Sequence, residues 1–110
     1  MDLVVTTSIV GNKSIAAVSG EIDVYTAPEL RDKLVGLVDS GATDIVVDMA
    51  QVGFCDSTGL GALVAALNYA RDRNAVLSLA AAQERVLKVL RITGLDQVFT
   101  VYPSVAAATE

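Results

Sequence analysis

Two β-prone runs open the chain, residues 3–9 (LVVTTSI) and 14–19 (SIAAVS), both rich in β-branched side chains. Gly11-Asn12-Lys13 between them has turn chemistry, so the pattern predicts a hairpin. Gly20-Glu21-Ile22-Asp23 then leads into a well-marked helix start. Thr26 stands at the expected N-cap and Glu29 three residues on, the spacing of a capping box. Pro28 falls in the first turn, where a missing N–H is tolerated. Leu30, Leu34, Leu37 and Val38 recur at helical spacing until Asp39-Ser40-Gly41, where Gly41 suits a left-handed residue after the helix.

Residues 44–49 (DIVVDM) read as a short buried strand, followed by a turn region over 51–55. After Asp56-Ser57-Thr58-Gly59, the residues Leu60, Leu63, Val64 and Leu67 predict a second helix reaching about Arg73, with Asn74 near its C-cap. Residues 76–81 predict a strand, and 83–92 a third helix with Val86, Leu87 and Leu90 as its stripe and Gly94 as its stop. A last strand over 98–102 precedes Pro103-Ser104 and a terminal helix over 105–110, which is expected to fray. The order β-β-α-β-α-β-α-β-α implies an α/β fold whose mixed sheet has parallel pairs and right-handed crossovers. No linker or repeat interrupts it, so residues 1–110 are expected to form one domain.

Composition narrows the picture. The 110 residues can bury a core without a disulfide or metal. With 53% hydrophobic but only 5% aromatic residues and no Trp, that core is expected to be Val, Leu, Ile and Ala. No membrane span is expected, because each apolar run is broken before the roughly 20 residues one needs. Met1-Asp2-Leu3-Val4-Val5 lacks the basic flank of a secretion signal. Cys55, the single cysteine, can form no internal disulfide and reads as a small buried hydrophobe; a reducing cytoplasm fits. The formal charge is −5, and the basic residues (Arg71, Arg73, Arg85, Lys88, Arg91 among them) are scattered, so no nucleic-acid partner is expected. The sequence contains no histidine. That excludes Ser-His-Asp and Cys-His relays and His-based metal sites, and the chain reads as a non-enzyme without metal or cofactor.

The densest chemistry is Phe54-Cys55-Asp56-Ser57-Thr58-Gly59-Leu60-Gly61, between a strand and a helix, where open α/β sheets place their sites. Ser57 brings a hydroxyl to a helix N-terminus, with unpaired N–H groups and the positive dipole end, a favourable place for phosphate. A structural reading stands beside it: Asp56 or Ser57 caps the helix, and Gly59 and Gly61 permit close helix–sheet packing. The stretch lacks the Gly-Lys-Ser/Thr ending of a P-loop.

Asp56-Ser57-Thr58-Gly59-Leu60-Gly61 resembles the phosphorylation signature of bacterial anti-sigma factor antagonists, which are STAS domains. Gly20-Glu21-Ile22-Asp23 with Thr26-Ala27, and the later Ile92-Thr93-Gly94-Leu95, resemble other hallmarks of that family, in the same order along nearly the whole chain. The resemblance implies a STAS-like single domain whose unphosphorylated form binds an anti-sigma factor and so releases a sigma factor for transcription. It further implies that this partner is an ATP-dependent serine kinase that phosphorylates Ser57, and that a metal-dependent phosphoserine phosphatase resets the switch. Partner contacts are expected from Asp23, Tyr25, Thr26, Asp56, Thr58, Gly59, Leu60 and Gly61, with Thr58 a second hydroxyl beside Ser57. The competing expectation is a STAS scaffold or sensor subunit that binds a partner or small ligand with no serine switch.

Overall fold

In the computed structural model, which describes residues 3–110, the chain opens with a hairpin of β1 (Val4–Val10) and β2 (Lys13–Ile22). Val10 pairs with Lys13, and Gly11 at φ +63° makes the tight reversal between them. There follow α1 (Ala27–Asp39), β3 (Asp44–Cys55), α2 (Ser57–Arg71), β4 (Val76–Ala80), α3 (Glu84–Thr93), β5 (Val101–Tyr102) and α4 (Val105–Ala108). The expected element order holds, with one addition, a 3₁₀ turn over Leu95–Gln97. The five strands lie in the order β1-β2-β3-β4-β5; β1 and β2 are antiparallel and the remaining pairs parallel. This is the mixed α/β sheet expected.

Leu30 and Leu34 of α1, Leu63 of α2 and Leu90 of α3 are fully buried in one apolar cluster with Val18, Ile22, Ile45, Val47 and Met49 of the sheet. Val46, which alternates with Ile45 and Val47 along β3, belongs to a second, smaller cluster with Ile15, Ala80 and Ala108. The sheet is thus covered on both faces, as its near-continuous apolar strands require.

Three differences from the sequence expectation have physical causes. β3 does not stop at Met49 but runs to Cys55, through the segment expected to turn. Two irregularities in its pairing with β2 break the two-residue alternation there, yet bring Val52 and Cys55 inside. α4 is not frayed. Ser104 Oγ accepts the Ala107 N–H at 3.0 Å, Lys13 Nζ donates to the Ala108 carbonyl at 2.7 Å, and the small Ala108 side chain lets this short helix close the second core.

The third difference concerns the entry to α1. Thr26 makes no side-chain cap bond to α1 and has a helical rather than extended backbone. The reciprocal box lies one turn earlier. Asp23 Oδ1 accepts the N–H groups of Tyr25 at 2.9 Å and Thr26 at 3.0 Å, while Thr26 Oγ1 accepts the Asp23 N–H at 2.9 Å. Thr26 Oγ1 also donates to the Glu21 carbonyl at 2.8 Å. Thr26 Oγ1 is thus engaged by the turn before α1, and one Asp23 carboxylate oxygen serves two of that turn's N–H groups at once. Thr26→Ala should therefore lose about 1–2 kcal/mol of stability. Glu29→Ala should change it by less than about 0.5 kcal/mol. Urea unfolding of the two variants separates this arrangement from a box built on Thr26 and Glu29, which would make Glu29 matter.

Candidate functional site

The ends of β2 and β3 meet where Ile22 pairs with Cys55, and the Asp56 N–H donates to the Ile22 carbonyl at 3.1 Å. Asp56 is in extended conformation and its Oδ1 accepts the Gly59 N–H at 2.9 Å, so Asp56 is the N-cap of α2. Of the two capping candidates, the role belongs to Asp56. Ser57 is left as the first helical residue, its side chain exposed, with Thr58 exposed beside it.

The two glycines of the cluster differ. A Cβ on Gly59 would stand 2.6 Å from Ile22 Cγ2, 2.9 Å from the Ile22 carbonyl oxygen and 2.9 Å from Cys55 Sγ. α2 sits this close to the sheet only because that atom is missing. A Cβ on Gly61 would meet nothing within 4 Å, so no packing requirement holds that glycine. Gly61 instead faces a groove of about 170 Å³ between α1 and α2, shared with Ala27, Pro28, Arg31 and Thr58.

Next to the Ile22–Asp56 junction the Asp23–Thr26 turn carries Val24 and Tyr25 into solvent, Tyr25 being 87% exposed. Phe54, opposite Glu21 in the β2–β3 register, is 41% exposed on the adjoining strand end. Three large apolar side chains are therefore exposed on the segments that adjoin this junction, and the same segments carry the carboxylates of Glu21, Asp23 and Asp56. Among the expected contact residues, Tyr25 and Thr58 are exposed, Gly61 is exposed in its groove, and Asp23 and Asp56 are partly exposed. Thr26, Gly59 and Leu60 are buried. Val24 was not singled out from the sequence, and Phe54 only as the first residue of the cluster, not as a contact. Their signal was an apolar pair inside a strand-to-helix turn, and an aromatic in a segment read as a turn.

Cys55 is buried, and burial, reinforced by the neighbouring Asp56 charge, pushes its thiol up to about 12. It stays protonated at neutral pH and serves as packing under Gly59. Among the described residues no group of three or more His, Cys, Asp or Glu side chains is placed to hold a metal ion. No helix of the described residues is long and apolar enough to cross a membrane.

Two outcomes follow for this seam. Gly59→Ala should destabilise by about 1–3 kcal/mol through overpacking. Gly61→Ala should be neutral or stabilise by up to about 1 kcal/mol, as alanine favours a helix over glycine; denaturant midpoints compare the two. Cys55 in the native protein should resist iodoacetamide at pH 8, well below its raised pKa, and react readily in urea, as mass spectrometry would show.

A family model described as STAS domain matches residues 2–108. The anti-sigma-B factor antagonist of Bacillus subtilis (strain 168) is 39% identical over 84 residues, covering 76% of each chain. Among solved structures, an anti-sigma factor antagonist from Mycobacterium paratuberculosis is 27% identical and superposes with TM-score 0.81 over 94% of this chain and 87% of its own. The Bacillus cell fate determinant SpoIIAA in its phosphorylated form shares the fold at 20% identity, with TM-score 0.71 and 96% of each chain covered. The sequence match over almost every residue and the shared fold lead to one conclusion: the chain belongs to the STAS domain family.

Proposed function

We propose that this chain is an anti-sigma factor antagonist, a regulatory binding protein rather than an enzyme, whose binding is switched off by phosphorylation of Ser57. The observation that carries the reading is the division of labour at the start of α2. Asp56 does the capping, which leaves the Ser57 hydroxyl exposed and free of any structural duty. The relatives named anti-sigma-B factor antagonist support the class of partner. The partner in this reading is an anti-sigma factor with ATP-dependent serine kinase activity, meeting the chain in the cytoplasm, and a phosphoserine phosphatase restores the hydroxyl.

Val24, Tyr25 and Phe54 supply the apolar contact that such a partner covers, and aromatic side chains are favoured at interfaces. Tyr25, Asp23, Asp56, Thr58 and Gly61 complete the contact surface in this reading, while Thr26, Gly59 and Leu60 hold those segments in place. A phosphate on Ser57 adds about −1.5 to −2 charge at neutral pH. The helix N-terminus accommodates that charge within the chain. A partner surface fitted to a neutral hydroxyl, beside Asp23 and Asp56, meets new repulsion and a group it must desolvate. About 1.4 kcal/mol suffices for a tenfold loss of affinity, so no refolding is needed.

Ser57→Ala removes no cap and should shift stability by less than about 0.5 kcal/mol. Used as baits in the host lysate with ATP, Ser57→Ala should retain an ATP-binding kinase-like protein and Ser57→Asp should release it. The same partner held equally by both baits would make this domain a scaffold without a serine switch.

A further inference from the structure

β1 forms one edge of the sheet, paired to β2 along its whole length without irregularity. Proteins usually blunt such an edge with a charge, a proline, a bulge or a very short strand. β1 has none of these. Its seven residues, VVTTSIV, are uncharged and regular, and Ile9 is 76% and Val4 53% exposed. β5, at the opposite edge, is only two residues long.

The order of residues within β1 is that of a strand suited to its own copy. Antiparallel pairing about Thr7 sets Val4 against Val10, Val5 against Ile9, Thr6 against Ser8 and Thr7 against Thr7. Apolar meets apolar on both faces, and hydroxyl meets hydroxyl at the centre. Moving the axis to Ser8 would set Thr6 against Val10 and Thr7 against Ile9; moving it to Thr6 would set Val4 against Ser8 and Val5 against Thr7. Only the axis at Thr7 matches throughout. No charge occurs from Leu3 to Asn12, so this edge escapes the self-repulsion of a chain with net charge −5. Access is open as well, since every residue of β1 except Val5 is exposed.

We propose that two copies of this chain associate through β1, antiparallel about a two-fold axis at Thr7, joining their sheets into one of ten strands. Such an interface is isologous, with each residue of one copy meeting its counterpart across that axis. None of the residues around Ser57 lies on β1, so the dimer and the serine switch are separable.

The test is sedimentation equilibrium of the full chain, wild type, Thr7→Lys and Thr7→Glu, with circular dichroism to confirm that each variant is folded. The wild type should show a reversible monomer–dimer equilibrium. Each variant alone should dimerise at least about tenfold more weakly, because like charges oppose each other on the axis, and an equimolar mixture of the two should regain association. A wild type that stays monomeric up to about 1 mM overturns the proposal. So does a dimer indifferent to the charge at position 7, or one that the mixed variants fail to restore.

Discussion

Gly59 meets Ile22 at a distance that leaves no room for a side chain, and much of the functional end of the molecule depends on that contact. With the helix pressed there, the Asp56 N–H reaches the Ile22 carbonyl and the Asp56 carboxylate turns back to the Gly59 N–H. Leu60 follows directly, and Leu63 one turn later, into the core beneath. A side chain at position 59 would push α2 away from the sheet and loosen all of these together, because close-packed interiors relax only in part. The position of Ser57 is thus set by contacts that Ser57 does not make.

The β2–α1 turn repeats the device with different residues. Asp23 and Thr26 satisfy one another, and Thr26 ties the turn back to Glu21, while Val24 and Tyr25 remain in water. Asp56 caps α2, and Asp23 satisfies the N–H groups of the turn just before α1, so both aspartates serve backbone at one end of the sheet. An added phosphate would join an already acidic neighbourhood at a helix N-terminus, where backbone N–H groups offset part of the charge. That arrangement tolerates the charge within the chain and leaves a partner to bear the consequence, which suits a switch acting on association more than on folding.

Much was legible in the residues alone. The turn at Gly11, the stop at Gly94 and the leucine spacings of the first three helices are local properties, decided by backbone freedom and by which side chains share a face. The element order followed from them, and the Asp56–Gly61 cluster was visible as chemistry at a strand-to-helix junction. The extent of β3 was not legible, since Gln51 and Gly53 interrupt its alternation and only bulged pairing with β2 shows how Val52 and Cys55 still reach the core. Nor was the choice between Asp23 and Thr26, or between Asp56 and Ser57, as caps, because each pair offers local acceptors of similar reach.

Sequence by itself determined the elements, their order and the candidate serine, because periodicity and turn chemistry act over a few residues. Tertiary structure decided that Asp56 rather than Ser57 caps α2, that Gly59 is required while Gly61 is not, that α4 closes the second face, and that Val24, Tyr25 and Phe54 stay exposed. Those outcomes depend on contacts between segments distant along the chain, where packing distance rather than local preference selects among side chains of equal aptitude.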